Sequence, residues 1–258
     1  MNVKAKKHLG QHFLTDENLA RKIVDSLSFE RYNKVLEVGP GTGVLTKYLL
    51  EKEQEIFVAE IDRESIDYLK KHYPKLTEKH FVGDFLKLEV SPIFASEEVA
   101  VIGNFPYNIS SQILFKIIDH YRQIPEMAGM FQKEVAERTA AVPRTKDYGI
   151  LSVMVQAYYD VKYLFTVHEN VFNPPPKVKS GVIKLTRNPK SGLEGHEVLF
   201  KQIVKAGFNQ RRKKLSNALK VLGIPEGIST HQFLEKRAEE LSVEDFIGFT
   251  IAWKNSLD

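Results

Sequence analysis

Mostly apolar runs that end in polar residues recur along the first half of the chain. They occupy residues 34–38, 55–59 and 99–102, and such short runs are typical of strands that are buried on both faces. The segments between them carry apolar residues three and four positions apart, as helices do. Strands that alternate with helices predict an α/β domain built on a mostly parallel sheet.

The pattern changes in the second half of the chain. Residues 163–167 predict an outer strand, and residues 181–185 alternate in the manner of an antiparallel edge strand. Residues 188–195 contain proline, serine and two glycines, which is typical of a linker, and the apolar spacing beyond them is helical. We therefore predict two domains, residues 1–190 with the sheet and residues 191–258 with helices only.

Composition narrows the class of protein. The 258 residues are 43% hydrophobic, enough for a full core. The sequence has no cysteine, which excludes disulfides, thiolate zinc sites and a cysteine nucleophile. No apolar run approaches the roughly 20 residues of a membrane helix, so we expect a cytoplasmic protein that binds neither a membrane nor a metal.

The placement of basic residues tells more than the net charge, which is only +4. Basic residues concentrate at positions 4–7, 177–190 and 211–214. Such runs are usually solvated faces. For the run 211–214, either the helix before it breaks near Asn209, or its arginines line a cleft, where their planar guanidinium groups suit phosphates.

A glycine-rich turn follows the first strand. Gly39, Gly41 and Gly43 come directly after residues 34–38, and this order lets the polar atoms of a ligand approach bare backbone at the carboxyl end of a parallel strand. The turn lacks the endings of the dinucleotide and phosphate-loop motifs, so a nucleoside without phosphates is favoured. Glu60 follows the next strand at about the 20-residue distance where a carboxylate meets ribose hydroxyls.

Two further strands are predicted to end at the same edge of the sheet. Residues 80–84 end in Asp84, whose carboxylate is suited to accept from an adenine amine, although a plain turn-forming role has comparable weight. Residues 99–102 lead into the segment Asn104-Phe105-Pro106-Tyr107. Four strand ends would then converge on one ligand site.

Each residue of the segment 104–107 offers a different contact. Asn104 brings a side-chain acceptor. Pro106 pushes Phe105 into an extended conformation, so that the Phe105 carbonyl is left free, and Tyr107 supplies a flat ring. Acceptors beside a stacking surface suit a flat base with an exocyclic amine, such as adenine. A strand-to-helix turn without a function is the alternative.

Motifs spread over nearly the whole chain resemble those of one family. They are Gln11-His12-Phe13-Leu14, Glu37-Val38-Gly39-Pro40-Gly41-Thr42-Gly43, Glu60-Ile61-Asp62, Gly83-Asp84, Asn104-Phe105-Pro106-Tyr107-Asn108-Ile109-Ser110, Phe172-Asn173-Pro174-Pro175-Pro176-Lys177-Val178 and Phe208-Asn209-Gln210-Arg211-Arg212-Lys213. The chain resembles the ribosomal RNA adenine dimethyltransferases, most closely those that act on the small subunit.

The resemblance implies a class I methyltransferase fold. This fold has a Rossmann-like seven-stranded sheet whose last strands are antiparallel, with a small C-terminal all-helical domain. The resemblance also implies S-adenosyl-L-methionine as methyl donor, S-adenosyl-L-homocysteine as product, and two adjacent adenines near the 3′ end of small-subunit rRNA as acceptors, each methylated twice at N6. The expected partners are that rRNA and the immature small ribosomal subunit, and the protein is expected to be a monomer.

The resemblance further assigns residues to each part of the site. In the cofactor site, His12 and Leu14 border the methionine end, Glu60 holds the ribose and Asp84 meets the adenine amine. The full cofactor set is His12, Leu14, Gly39, Gly41, Gly43, Glu60, Ile61, Asp84, Phe85 and Asn104. The set expected at the target base is Asn104, Phe105, Pro106, Tyr107 and Phe172. The set expected at the rRNA is Lys4, Lys6, Lys7, Arg144, Lys146, Lys177, Arg211, Arg212, Lys213 and Lys214.

Other functions stay open. A large-subunit rRNA adenine dimethyltransferase of the macrolide-resistance type shares the segment 104–107, but residues 208–213 and the triple proline favour the small-subunit enzyme. The fold could also serve a nucleic-acid-binding assembly factor in which methylation is secondary. A DNA N6-adenine methyltransferase is less favoured, because those enzymes usually have Asp or Asn followed by Pro-Pro-Tyr.

Overall fold

The computed structural model describes residues 3–95, 97–189 and 192–257. Its strands are Phe13–Leu14 (β1), Lys34–Val38 (β2), Glu55–Ala59 (β3), Val99–Asn104 (β4), Glu126–Gln132 (β5), Tyr159–Val167 (β6), Phe172–Asn173 (β7) and Ser180–Arg187 (β8). Its α-helices are Glu17–Val24 (α1), Thr46–Leu49 (α2), Arg63–His72 (α3), Val90–Phe94 (α4), Ser110–Asp119 (α5), Lys133–Ala140 (α6), Ile150–Gln156 (α7), Glu197–Asn209 (α8), Leu215–Ala218 (α9) and Val243–Asn255 (α10). None of the helices in these ranges is long and apolar enough to cross a membrane.

Six strands form one mixed sheet in the order β3-β2-β4-β5-β8-β6. The pairs β2–β3, β2–β4 and β4–β5 are parallel, and β8 runs antiparallel to β5. The predicted α/β fold on a mixed sheet with antiparallel last strands is therefore confirmed, but the described residues form six strands in this sheet and not the seven that the resemblance implies, because residues 80–84 contribute only a bridge. Because the parallel strands end at one edge, Val38, Ala59 and Asn104 lie at neighbouring strand ends.

A hydrophobic core lies against one face of this sheet. Ala100 and Ile102 of β4, and Ala128 and Met130 of β5, contribute to it together with the apolar residues of α1 and α2. These positions are two apart, as expected for side chains that share one face of a strand. Helix α1 begins where the Asp16 carboxylate accepts a hydrogen bond from the Leu19 amide (2.9 Å).

The strand predicted at residues 80–84 is wrong. The structure has a single bridge there, between Phe81 and Val58 beside β3. Residues 78–80 form a 3-10 turn in which the His80 ring accepts from the Thr77 amide (2.9 Å), so the chain becomes extended only at Phe81. Gly83 then adopts a positive φ of 78° and ends the extended stretch.

The prediction that residues 181–185 form an edge strand is also wrong. Their strand, β8, lies inside the sheet between β5 and β6. The polar residue in the alternating pattern, Lys184, is accommodated because its Nζ lies 2.5 Å from Glu126 Oε1 on β5. Because this ion pair allows a lysine inside the sheet, the sequence of β8 alternates as that of an edge strand would.

The described chain divides into two compact units by its internal contacts. One contains the residues up to Ala136 together with Val161–Arg187, and the other contains Glu137–Asp160 together with the residues after Arg187. Aromatic rings form part of the core of the second unit. The centroid of the Phe208 ring lies 5.8 Å from that of Tyr148 and 5.9 Å from that of Phe246. The predicted boundary between Lys190 and Ser191 lies outside the described residues.

The basic run 211–214 is not helical. Helix α8 ends at Asn209, and the following residues turn before α9 begins at Leu215. Of the two alternatives that the sequence left open, the break near Asn209 is therefore the correct description of the backbone.

Candidate active site

A cavity of about 280 Å³ opens at the carboxyl ends of β2, β3 and β4. Most of the residues predicted for the cofactor and the target base line it. These are His12, Gly39, Gly41, Glu60, Ile61, Asp84, Phe85, Asn104, Phe105, Pro106 and Tyr107. Other lining residues were not assigned to the site, although several of them stand in the motifs quoted above. They are Leu9, Gly10, Gln11, Phe13, Val38, Ala59, Gly83, Leu86, Asn108 and Ile109.

Glu60, just past the end of β3, is fixed by backbone amides. Its Oε1 accepts from the amides of Ile61 and Asp62 (both 2.9 Å), and its Oε2 accepts from the amide of Gly41 (3.2 Å). Burial raises the pKa of Glu60 above its ordinary value, and the three amides oppose that shift. The side chain thus presents a rigidly held carboxyl group to the cavity.

The glycine turn brings backbone to the cavity wall at Gly41. Its φ is +56°, and a Cβ there would lie 2.7 Å from the ring of Phe13, so only glycine fits. Gly43 does not line the cavity, and a Cβ at that position would lie 2.5 Å from the ring of Tyr73. Gly43 therefore serves the packing of the turn.

Asn104 ends β4 with its amide orientation set by the N-terminal segment. Its Nδ2 donates to the backbone carbonyl of His12 (2.8 Å). The Oδ1 atom accepts no hydrogen bond from the residues that the structure describes, so it is available to a ligand in the cavity. The Nδ2 donor is therefore used within the protein, and the Oδ1 acceptor is left for a ligand.

Phe105 buries its ring and leaves its carbonyl free. The amide donates to Met130 O on β5 (3.0 Å), and the ring stacks on Phe131 with 4.6 Å between centroids. The ring fills the space beside two glycines, since a Cβ would lie 3.0 Å from it at Gly103 and 2.4 Å from it at Gly129. Within the described ranges the Phe105 carbonyl accepts no hydrogen bond, in agreement with the expectation from Pro106.

Tyr107 makes one hydrogen bond through its hydroxyl and another through its backbone carbonyl. Its hydroxyl lies 2.5 Å from Ser180 Oγ, and its backbone carbonyl accepts from Ser110 Oγ (3.0 Å). Burial raises the pKa of Tyr107, and the hydrogen bond with Ser180 opposes this. The ring of His12 is 5.4 Å away, and His12 Nδ1 lies 2.8 Å from Pro174 O, so the segment with the three prolines approaches the site at His12.

The structure does not bring Phe172 or Leu14 to the main cavity. The two residues pair across β1 and β7, and both are buried in the core. Side chains alternate along a strand, so Phe13 lines the cavity while its neighbour Leu14 faces inward. Leu14 borders a smaller cavity of about 20 Å³ together with Glu37 and Asn104.

Glu37 is a buried carboxyl that the sequence analysis assigned no role. Its Oε2 accepts from Thr46 Oγ1 (2.5 Å). Burial, with a contribution from the nearby negative charge of Glu60, raises the pKa of Glu37 to about 8, so the group is mostly protonated at neutral pH. A neutral carboxyl under the glycine turn avoids placing a second full charge next to Glu60.

The N-terminal segment is tied to the site through Asp62, a contact that sequence reasoning missed. Asp62 is buried and accepts hydrogen bonds from Lys6 Nζ and from Gln11 Nε2 (3.1 Å). Burial alone would raise the pKa of Asp62, but these bonds lower it below its usual value. Lys6, which was predicted to contact rRNA, instead pairs with Asp62 and Glu64.

The other residues predicted to contact rRNA fall into two groups. Arg211 is engaged within the protein, where its guanidinium donates to Glu239 (2.6 Å) and to the carbonyls of Thr145 and Lys146 (both 2.8 Å). Lys214 pairs with Glu235 at an exposed position. The side chains without such a partner among the described residues are those of Lys4, Lys7, Arg144, Lys146, Lys177, Arg212 and Lys213.

The fold and the cavity together define a class of enzyme. A mixed sheet whose parallel strands lead into a glycine turn, buried carboxyls and an Asn-Phe-Pro-Tyr segment is the architecture of a methyltransferase. A model of the family described as ribosomal RNA adenine dimethylase matches residues 2–251. The chain therefore belongs to this family, and the predicted resemblance is confirmed.

Curated relatives and solved structures agree with that membership. The chain is 56% identical over 248 residues to "Ribosomal RNA small subunit methyltransferase A" of Flavobacterium johnsoniae, covering 96% of this chain and 95% of the relative. It is 55% identical to the protein of the same name in Cytophaga hutchinsonii, covering 96% of each chain. A dimethyladenosine transferase from Plasmodium falciparum superposes with a TM-score of 0.82 at 26% identity, over 95% of this chain and 98% of that one. The 23S rRNA methyltransferase ErmE has the same fold, with a TM-score of 0.68 at 24% identity over 94% of this chain and 99% of that one.

Proposed function

We propose that this protein methylates N6 of two adjacent adenines near the 3′ end of small-subunit rRNA, each of them twice, with S-adenosyl-L-methionine as donor. Family membership and relatives of more than half identity that are named as small-subunit methyltransferases support this substrate. The observation that carries the chemistry is the convergence of the Asn104 acceptor, the Phe105 carbonyl and the Tyr107 ring in one cavity with Glu60 and Asp84. We expect the protein to act in the cytoplasm, as a monomer, on the immature small subunit.

The residues of the cavity fit the proposed cofactor. In this proposal the Glu60 carboxyl, which three amides anchor, accepts from ribose hydroxyls, and Asp84 accepts from the adenine amine. One oxygen of Asp84 accepts from the Leu86 amide (3.0 Å), and Lys87 Nζ lies 3.7 Å from the other, beyond hydrogen-bond distance. The second oxygen can therefore accept a hydrogen bond from the ligand. When bound, the cofactor supplies a methyl group that its sulfonium has already activated. The protein therefore has no need of a strong general base.

The acceptors of Asn104 and Phe105 position the target amine. The N6 lone pair of adenine is delocalised into the ring, so the amine is a weak nucleophile. Hydrogen bonds from its two hydrogens to Asn104 Oδ1 and to the Phe105 carbonyl favour a pyramidal nitrogen whose lone pair points at the methyl group. Alignment of this kind contributes up to several kcal/mol, and the same acceptors stabilise the positive charge that develops on nitrogen.

Tyr107 provides the surface on which the flipped-out adenine stacks. Stacking of a base on an aromatic ring contributes roughly 1–3 kcal/mol, and extrusion of the base from its helix requires such compensation. Phe172 was also expected at the target base. Its burial in the core favours an indirect role for it, through the pairing of β7 with β1.

Two methylations at one nitrogen place a further demand on the site. After the first transfer the amine has one hydrogen left, so one acceptor must face a methyl group or the base must rotate. We expect monomethyladenine to precede dimethyladenine in a single-turnover time course. Its absence at every time point would argue for two transfers without release.

Basic side chains that have no partner within the described protein are available for rRNA phosphates. Arg212 and Lys213 are exposed after the end of α8, and Lys177 is exposed in the proline segment. Each phosphate contact from such a residue releases counterions, so affinity should fall steeply with salt. Arg211 is set apart from this group, because each of its three nitrogens donates to a partner within the protein, namely Glu239 or one of two carbonyls.

The test is methyl transfer from labelled cofactor to three substrates: immature small ribosomal subunits, large subunits and duplex DNA. The wild-type protein should label only the small subunit, at two adjacent adenines that mass analysis identifies as N6,N6-dimethyladenosine. Asn104→Ala should fail to transfer even at saturating cofactor, whereas Asn170→Ala, a change at an exposed asparagine, should leave transfer intact. Labelling of the large subunit alone would replace the proposal with the macrolide-resistance type of activity.

A further inference from the structure

The hydroxyl of Tyr107 has one hydrogen-bonding partner, and that partner is a buried serine. Ser180 is fully buried at the start of β8, and its Oγ lies 2.5 Å from Tyr107 Oη. Among the described residues, neither hydroxyl has a second side-chain partner. Buried hydroxyl groups are rarely left without a partner, so each of these two depends on the other.

Ser180 is a firm anchor. It lies opposite Gln132 in the antiparallel β5–β8 pair, inside the sheet. The next residue, Gly181, has no room for a side chain, since a Cβ would lie 2.7 Å from Ala136 Cβ and 2.8 Å from the Tyr163 ring. The backbone next to the Ser180 hydroxyl is therefore closely packed at Gly181.

Tyr107 itself belongs to a less constrained element. It begins a one-turn 3-10 helix, residues 107–109, directly after Pro106. Its backbone carbonyl is held by Ser110, but this bond does not fix the torsion angles of the side chain. The nearest ring, that of His12, is 5.4 Å away and tilted by 31°, which is too loose an arrangement to set the plane of Tyr107.

We propose that Ser180 is a positioning residue, which holds the tip of Tyr107 so that the plane of the ring matches the plane of the incoming adenine. The inference rests on the proposed function, because it requires a base to stack on Tyr107. The hydroxyl of Tyr107 then serves orientation through Ser180 and makes no contact of its own with the base. Ser180 acts on substrate capture and leaves the cofactor side of the cavity unchanged.

A double-mutant cycle tests this role. Ser180→Ala removes the anchor, and Tyr107→Phe keeps the ring but removes the hydroxyl. Each single variant should raise KM for immature small subunits by about fivefold, the scale of one neutral hydrogen bond, while kcat and the Kd for S-adenosyl-L-homocysteine stay near wild type. The double variant should be no worse than either single variant, because both remove the same interaction. Ser180→Thr retains the hydroxyl and should restore KM.

Three results would overturn the proposal. Multiplicative losses in the double variant would mean that the Tyr107 hydroxyl contacts the base by itself. A wild-type KM in Ser180→Ala would show that Ser180 does not position Tyr107. A lower melting temperature of Ser180→Ala with no change in KM would show that Ser180 contributes to packing only. All three results presuppose an active wild-type enzyme. If the wild-type protein methylates none of the three substrates, the proposed function fails first and this inference fails with it.

Discussion

Replacing Asn104 with aspartate tests the proposed role of its side-chain amide. The Nδ2 of Asn104 donates to the His12 carbonyl at 2.8 Å, and aspartate would place an acceptor oxygen at that point. Two acceptors would then face each other, with the hydrogen bond lost. Leaving a partly buried carbonyl unpaired costs about 1–3 kcal/mol. We therefore expect kcat/KM to fall by roughly five- to 150-fold at pH 8, at 1.36 kcal/mol per factor of ten.

The pH dependence makes this prediction specific. The facing carbonyl and the partial burial of the site both raise the pKa of the introduced carboxyl. Its protonated form can donate to His12 as the native amide does. The ratio of Asn104→Asp to wild-type activity should therefore rise as the pH falls from about 8 to about 5.5. The assay is methyl transfer to immature small subunits, with Asn170→Asp as the matched change of charge at an exposed asparagine.

Two outcomes would refute this reasoning. Wild-type activity of Asn104→Asp at pH 8 would show that the donor to His12 is dispensable. A loss of activity that is the same at every pH, with cofactor affinity intact, would show that the amide acts through something other than this orientation.

Three further predictions address stability and rRNA binding. Burial raises the pKa of Glu37 to about 8 from an ordinary 4.5, so the folded state holds this proton more tightly than the unfolded state and loses stability as the pH rises between those values. Glu37→Gln has no proton to lose and should not show this loss of stability. The free energy of unfolding of the variant minus that of the wild type, from denaturant titrations, should therefore be about 2–3 kcal/mol larger at pH 7.5 than at pH 5. The same difference at both pH values would contradict a buried neutral carboxyl at Glu37. Gly129→Ala should lower stability by roughly 1–3 kcal/mol through overpacking and should reduce methyl transfer, whereas Gly248→Ala, where a Cβ meets nothing within 4 Å, should not; equal melting temperatures for the two variants would contradict the tight fit. Arg211→Ala should lower the melting temperature. Arg212→Ala should leave the melting temperature unchanged and reduce the slope of log affinity for rRNA against log salt by about 1. If Arg212→Ala lowered the melting temperature and Arg211→Ala reduced the slope, the hydrogen bonds of Arg211 would not distinguish the roles of the two residues.

Local chemistry explains why the sequence predicted much of the site. The glycine turn after β2, Glu60 after β3 and the segment 104–107 after β4 each follow a short apolar run, and parallel strands end at one edge whatever their loops do. The cavity at that edge could therefore be predicted without knowing any long-range contact. Phe105 illustrates this, because Pro106 alone predicted its free carbonyl.

Contacts between distant segments account for what the sequence did not predict. Nothing in the sequence near Lys6 or Gln11 indicates that both side chains contact Asp62. For that reason Lys6 was grouped with the lysines expected to bind rRNA. Phe172 lies in a two-residue strand, too short for any periodicity to show which way its ring faces. Lys184 made β8 resemble an edge strand because its partner, Glu126, is far away in the chain.

The central claim is that the acceptors at the end of β4 direct dimethylation of small-subunit rRNA. The most direct measurement is mass analysis of that rRNA from cells that lack this protein, complemented with wild type or with Asn104→Ala. We predict that N6,N6-dimethyladenosine is absent without the protein, returns at two adjacent positions with wild type and stays absent with Asn104→Ala. Persistence of the dimethylated pair in cells lacking the protein, or its full restoration by Asn104→Ala, would contradict the account.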